Sequence, residues 1–272
     1  GDLEVSNNEE LLAYSLDLKG SEYYTIYIRR ISDNKLVTEQ IDETSGSIIF
    51  SLDDKYIFYS KLDANHRPRQ IFRHKLGSSK KEDELIFEEK NESFTASISL
   101  SSDEKFFFVS SSDHVTSEIH YFPADQKKPE TKLFISREQE ITYDIDSWDE
   151  YFYMHTNKNA EDFKICRCKK DNLNKWEDFI PAKNGTLIGG FTILKEWMVR
   201  SEIRNALPKL FVRNLNTNKE KELIFSDEKV YMPGCSLMQK NRNTDFVHIS
   251  YSSPKTPGRS YLYNLKTKKK KL

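Results

Sequence analysis

The sequence predicts an all-β protein, a β-propeller of four-stranded antiparallel blades. Three observations lead there. A short phrase recurs: a serine, several polar residues, then an apolar run. It stands at Ser6-Asn7-Asn8-Glu9-Glu10-Leu11-Leu12-Ala13-Tyr14. It returns at Ser51-Leu52-Asp53-Asp54-Lys55-Tyr56-Ile57-Phe58-Tyr59 and at Ser101-Ser102-Asp103-Glu104-Lys105-Phe106-Phe107-Phe108-Val109, offsets of 45 and 50 residues. A self-similar period of this length is the mark of an array of small sheets. Aromatic residues make up 12% of the chain, mostly Tyr and Phe, which suits strands. No long window carries apolar residues at i, i+3, i+4 and i+7, so helices are not expected. A jelly roll or sandwich would also be all-β, but neither predicts a recurring phrase.

Each repeat resolves into four segments. The first precedes the polar turn, at 3–6, 47–51, 95–100, 141–146, 188–194 and 231–237. Crowding toward an axis favours small apolar residues there, as in Thr95-Ala96-Ser97-Ile98-Ser99. The second segment follows the turn, at 11–16, 56–61, 106–110, 151–155, 197–201 and 246–251. Asn, Asp and Ser in the turn supply side-chain hydrogen bonds and tolerate left-handed backbone. The third alternates most clearly, at 25–29, 70–74, 118–122, 164–168, 209–213 and 260–264. The fourth is visible at 84–87, 132–135 and 222–225, flanked by charge as an outer edge strand should be. The repeats run approximately 1–40, 41–89, 90–137, 138–183, 184–226 and 227–272, in a single propeller domain.

Composition bounds the function. The chain has 272 residues, 42 basic against 43 acidic, for a net charge of −1. A chain-wide nucleic-acid or membrane-surface binder would need a basic excess, so neither partner is expected. The run Lys268-Lys269-Lys270-Lys271 reads as the start of a solvated outer strand. No apolar run approaches the roughly 20 residues that cross a bilayer, and the N-terminus lacks a signal-peptide core. Three cysteines do not make a disulfide framework. A cytoplasmic setting is expected, and the Asn-x-Ser/Thr matches at Asn91 and Asn184 then read as chance.

Catalytic motifs are missing. A Gly-x-Ser-x-Gly elbow places a nucleophile on a sharp strand-to-helix turn. Only Gly185 and Gly189 have that spacing, and Leu187 stands between them. No phosphate-binding glycine loop can be built. Cys166 and Cys168 flank Arg167 on one strand face, the wrong spacing for zinc, and read as packed free thiols. No cofactor or metal is expected. The dense basic stretch from Asn65 to Lys75 reads as a hairpin and strand whose charges are met by Glu82, Asp83, Glu84, Glu88 and Glu89.

A set of phrases runs in order along nearly the whole chain. They include Leu12-Ala13-Tyr14-Ser15-Leu16, Ser21-Glu22-Tyr23-Tyr24-Thr25-Ile26, Thr44-Ser45-Gly46, Asn65-His66-Arg67-Pro68-Arg69, Asp83-Glu84-Leu85-Ile86-Phe87, Ala160-Glu161-Asp162-Phe163-Lys164-Ile165 and Tyr251-Ser252-Ser253. At these segments the chain resembles the propeller of the oligopeptidase B (protease II) group in the prolyl oligopeptidase family of serine peptidases. The resemblance implies a seven-bladed propeller capping an α/β-hydrolase domain that carries Ser, Asp and His. Only about six blades are present, and the catalytic domain is expected to lie outside the chain. No triad residue can be carried over. A propeller short of one blade leaves an unpaired apolar face, so a marginally soluble or self-associating chain is expected.

The implied role is a non-catalytic, substrate-gating domain of a serine endopeptidase that cuts short peptides after Arg or Lys. The expected partners are the catalytic domain of the same parent protein and short basic peptides. Loops that lead into inner strands should face the catalytic domain. Glu43, Thr44, Ser45 and Gly46 are the first candidates, with Arg67, Arg69, Glu161 and Asp162 behind them. An ordinary loop role stays open for each. Two rival readings remain. One is a stand-alone propeller acting as an interaction scaffold. The other is a propeller enzyme using the inner-strand carboxylates Asp2, Glu4, Asp144 and Asp146.

Overall fold

The structure is a computed structural model that describes residues 1–37, 40–224, 228–237 and 242–271. It divides into two compact units, Gly1–Tyr143 and Asp144–Leu272. In the first unit, seven strands form one antiparallel sheet in sequence order: β1 (Leu3–Val5), β2 (Leu11–Leu16), β3 (Tyr24–Arg30), β4 (Ile41–Phe50), β5 (Tyr56–Leu62), β6 (Pro68–Lys75) and β7 (Glu84–Glu88). A four-stranded sheet follows: β8 (Thr95–Leu100), β9 (Phe106–Ser112), β10 (Ser117–Pro123) and β11 (Lys132–Ile135). The second unit holds three four-stranded sheets. They are β12 (Tyr143–Trp148), β13 (Tyr151–Thr156), β14 (Lys164–Lys169) and β15 (Glu177–Ile180); β16 (Thr186–Leu194), β17 (Trp197–Arg204), β18 (Leu207–Asn214) and β19 (Glu220–Leu223); and β20 (Met232–Ser236), β21 (Phe246–Ser252), β22 (Arg259–Asn264) and β23 (Lys270–Lys271).

The seven-stranded sheet is two blades joined through one strand. The first half of β4 pairs with β3 (Ile26 opposite Ile41) and the second half with β5 (Ile49 opposite Phe58). Thr44 pairs on both sides, at the point where the register shifts. Counted this way, the described residues form six blades of four strands each.

The recurring serine builds the turn between first and second strands. Ser6, Ser51 and Ser101 are all buried. Each hydroxyl accepts the amide that opens the next strand: Leu11 at 2.9 Å, Tyr56 at 3.0 Å and Phe106 at 3.0 Å. Each also donates to the Asn or Asp two residues on, at 2.8, 2.7 and 2.8 Å. The fourth residue of each phrase, Glu9, Asp54 or Glu104, turns left-handed at φ 60, 54 and 58°. Adjacent turns are tied together. Asn7 and Asn8 amides donate to the Asp54 carboxylate, and in the second unit Trp148 Nε1 donates to the Lys195 carbonyl at 2.8 Å.

Two expected segments shift. The strand expected at 141–146 is β12, two residues later. Ser147, fully buried, stays inside that strand, and the turn shrinks to Asp149 and Glu150 with Asp149 at φ 52°. The segment expected at 222–225 is β19, two residues earlier, because its pairing with β18 begins at Glu220 opposite Arg213. Phe225 lies outside the described residues. The one helical piece among the described residues is a 3-10 turn, Lys80–Glu82, capped by Ser79.

The hydrophobic cores lie between blades. Ala13, Ile26 and Ile28 of the first blade pack with Ile48, Phe50 and Ile57 of the second. Phe58 and Ile71 pack with Phe107, Val109 and Phe122 of the third. In the second unit, Tyr153, Ile165 and Phe179 meet Ile188, Ile193 and Met198. Val199, Leu210 and Val212 meet Val247, Ile249 and Tyr263. No blade buries both its faces alone, which is why the pattern must repeat.

One ion cluster is buried. Glu202 is fully buried and takes Arg200 at 2.6 Å, Arg204, and Lys183 at 3.6 Å. Arg200 also reaches Glu220 at 2.6 Å and lies 4.9 Å from the Phe211 ring centre. Such a cluster holds geometry at little net gain, since desolvation offsets attraction.

Replacing Ser101 with Ala should cost about 1–3 kcal/mol in urea unfolding, because a buried amide loses its acceptor. Ser93→Ala, on an exposed turn, should stay within about 0.5 kcal/mol.

Candidate functional site at the crossover edge

In a four-stranded antiparallel blade, the hairpin between second and third strands and the crossover into the next blade emerge at the same end. All eight candidate residues fall on such segments. Glu43–Gly46 form the crossover within β4, Arg67 and Arg69 the β5–β6 hairpin, and Glu161 and Asp162 the β13–β14 hairpin.

The hairpins share a device. Asp17 accepts the amides of Lys19, Ser21 and Glu22 at 3.1, 3.1 and 2.7 Å. Asp63 accepts those of Asn65 and Arg67 at 2.8 and 3.0 Å, and Asp113 those of Val115 and Thr116 at 2.8 and 2.7 Å. The Glu22 amide first, then those of Ser21 and Lys19, hold the Asp17 carboxyl below the usual range. The Val115 and Thr116 amides do the same for Asp113. At Asp63, burial opposes the charge but the amides and the Arg67 guanidinium outweigh it. In the last hairpin Ser253 plays this part for Lys255 and Thr256.

The crossovers are pinned by side chains. Thr44 is fully buried; its hydroxyl donates to the Tyr24 carbonyl at 3.0 Å and accepts the Gly46 amide at 3.2 Å. Gly46 sits at φ 92°, and an added Cβ would lie 3.0 Å from the Tyr24 ring and 3.1 Å from Ser15 Oγ. No other residue fits there without moving both. The buried Glu89 accepts from the Asn91 amide at 2.7 Å, from Arg137 at 2.7 Å and from Ser111. Glu228 accepts from Tyr251 at 2.9 Å, Thr256 at 2.8 Å and Ser253 at 2.5 Å.

Arg137 is the hub of the first unit's edge. It bridges Glu89 and Glu118, and its guanidinium lies 4.2 Å from the Phe94 ring centre. His120 is 2.8 Å from Glu118. Burial opposes the Glu118 charge, but Arg137 and His120 outweigh it and bring that carboxyl down to about 2.

The candidates divide by availability. Thr44 and Gly46 are committed to the crossover. Arg67 is held by Asp63 at 3.2 Å and by the Glu92 carbonyl, with its Nε buried and unbonded. Arg69 is held by the Glu89 carbonyl at 2.9 Å. Glu43 is exposed, at φ 59°, and 3.3 Å from Lys61. Ser45 is half-buried. Glu161 is exposed and Asp162 half-buried, and neither carboxylate has a side-chain partner among the described residues. The Asp162 carbonyl accepts the Ile188 amide at 2.9 Å, and His155 Nε2 meets the Ile188 carbonyl at 2.7 Å, so this hairpin is fastened to the next blade.

Sequence reading missed Asp17, Asp63, Asp113, Glu89, Arg137 and Glu228. The aspartates could have been found: their spacings of 46 and 50 residues repeat the serine period. The glutamates and Arg137 had no such signal, since their partners are distant in sequence.

Other chemistry is quiet. Asp144 reaches solvent, yet protein around it desolvates the carboxyl and raises it, with His155 opposing. Cys166 and Cys168 are buried free thiols pushed by burial up to about 12 and about 11. Among the described residues no three His, Cys, Asp or Glu side chains come together as a metal site. Among the described residues no helix is long and apolar enough to cross a membrane.

The family model described as prolyl oligopeptidase, N-terminal beta-propeller domain, matches residues 1–272. The chain belongs to the prolyl oligopeptidase propeller family. It is 31% identical over 268 residues to Protease 2 of Moraxella lacunata, covering 98% of this chain and 38% of that protein. It is 30% identical to dipeptidyl aminopeptidase BI of Pseudoxanthomonas mexicana, covering 98% of this chain and 37% of that protein. Oligopeptidase B from Trypanosoma brucei, solved with covalently bound antipain in a closed form, superposes with a TM-score of 0.92. That match has 24% identity and covers 100% of this chain and 39% of that one. The propeller family's chain thus spans well under half the length of these relatives.

Lowering the pH should weaken the Arg137 hub. The Glu118 carboxyl is depressed on folding, so its stabilisation is complete above its ordinary value of 4.5 and disappears as pH falls toward about 2. Melting temperature against pH should fall over that window, and Glu118→Gln should flatten the fall.

Proposed function

We propose that the chain is the substrate-gating propeller of an oligopeptidase-B-like serine endopeptidase that cleaves short peptides after Arg or Lys. The observation that carries the reading is the match of the whole chain to the propeller domain of a peptidase family whose curated members are more than twice its length. The absence of a Gly-x-Ser-x-Gly elbow within these residues agrees with chemistry housed elsewhere in the parent protein.

In this reading the crossover edge faces the catalytic domain. Within each unit the crossovers and hairpins are pinned, and pinned segments suit a filter that admits peptides and excludes folded chains. Glu43, Ser45, Glu161 and Asp162 are the accessible groups for that contact. Thr44, Gly46, Arg67 and Arg69 act behind them by holding the segments in place. The proteolytic step would follow acyl transfer through a Ser-His-Asp triad in the other domain. We also place the parent protein in the cytoplasm, where free, buried thiols are ordinary.

Dipeptidyl aminopeptidase BI, at nearly the same identity as Protease 2, supports a second reading in which dipeptides are released from peptide N-termini.

Fluorogenic peptides with Arg, Lys or Ala before the scissile bond test both. The 272-residue chain alone should give no turnover. The parent protein should favour Arg and Lys over Ala by at least about 100-fold in kcat/KM, as expected where a site pairs a substrate charge. Turnover that scales with the purified chain, or indifference to the residue, would contradict the proposal. Release of dipeptides alone would select the second reading.

A further inference from the structure

A cavity of about 530 Å³ lies in the fourth blade, where the turn between β14 and β15 folds over the sheet. Its volume is within the range of small-molecule sites. Tyr151, Arg167, Lys169, Asp171, Lys175 and Glu177 are among the residues that line it. It belongs to the opposite end of the blade from the crossover edge, so the proposed gating role makes no use of it.

Arg167 is prepared for an anion. Its guanidinium is sandwiched between Tyr151 and Phe179, 4.5 and 4.6 Å from the ring centres. Glu177 engages Nε at 2.7 Å. That fixes the plane of the guanidinium; Tyr153 also hydrogen-bonds Arg167, and the remaining guanidinium hydrogens are donors. A planar fork held this way matches carboxylate and phosphate oxygens. Lys169 and Lys175 are exposed, and neither has an ion pair among the described residues.

The surroundings are also over-supplied with positive charge. Phe179 carries a second guanidinium, Arg213, 4.4 Å from its ring centre, with Nε buried and unbonded. Burial, with Arg200 and Arg167 nearby, makes the Arg213 charge harder to hold despite Glu220. Glu177 is engaged by Arg167, and Glu220 by Arg200 and, at 3.6 Å, by Arg213; among the described residues Asp171 is the lining acid without a partner, set against Lys169 and Lys175.

We propose that this cavity is a binding site for a small oxyanion, a phosphate or a carboxylate group, held by Arg167, Lys169 and Lys175. The two sources share one chemistry, a compact group of anionic oxygens that accepts the Arg167 fork and two ammonium groups. Tyr151 adds an aromatic face beside it for whatever carries the anion.

Isothermal titration of the 272-residue chain with inorganic phosphate, and separately with an acetylated dipeptide and its amidated counterpart, tests this. Saturable one-to-one binding of phosphate, or of the free-acid dipeptide over the amide, is expected, and the tighter arm names the source. R167Q should weaken it at least about tenfold, the scale of a charge-assisted bidentate contact. K169E/K175E, confined to exposed side chains, should do the same without changing the melting temperature. K158E, on the hairpin at the other end of the blade, should leave binding unchanged. Failure of all three probes to bind at millimolar concentration would overturn the proposal, as would binding that survives both R167Q and K169E/K175E.

Discussion

Every blade of this chain depends on a neighbour to cover its apolar face. Ala13, Ile26 and Ile28 are buried because the second blade lies against them, and Val247 and Ile249 because the fifth does. Shared faces demand near-identical blades, and near-identical blades demand turns of one shape. The buried serine meets that demand with a single hydroxyl. It takes the first amide of the second strand, binds the Asx side chain, and leaves the next residue to turn left-handed. Hydrogen bonds between adjacent turns, such as Asn7 and Asn8 to Asp54, then set the spacing of the blades.

The opposite end is built for another purpose. There the chain must cross between blades, and the crossovers are long and polar. The buried Thr44 hydroxyl and Glu89 carboxylate and the half-buried Glu228 hold them, with Arg137 tying Glu89 to Glu118. The exposed charges left over, Glu43 and Glu161, stand on backbone that is already fixed. A surface organised before contact loses less freedom on docking than a mobile one.

The fold was legible because periodicity is local information. The Ser6, Ser51 and Ser101 phrases marked the turns, and alternation such as Gln70-Ile71-Phe72-Arg73-His74 marked the strands. The errors were of register. The first strand of the fourth repeat was expected to end at residue 146, but a shorter turn keeps Ser147 inside β12. The edge was only half legible. The phrase Thr44-Ser45-Gly46 drew attention to the crossover within β4, where two of its three residues hold the crossover itself. Arg67 and Arg69 were expected to be met by acids near 82–89 and are spent instead on Asp63 and on carbonyls of the next crossover. Arg137 and Glu118 stand 19 residues apart in one blade, and Glu89 joins them from the end of the preceding blade, so spacing alone could not have grouped the three.

The central claim is that the crossover edge, and not the serine-turn end, faces the rest of the parent protein. Hydrogen–deuterium exchange of the 272-residue chain against the intact parent tests it most directly. The account predicts added protection in the parent at 43–47 and 157–163, with 6–10, 51–55 and 101–105 unchanged. Protection gained at the serine turns, with none at the crossovers, would contradict it.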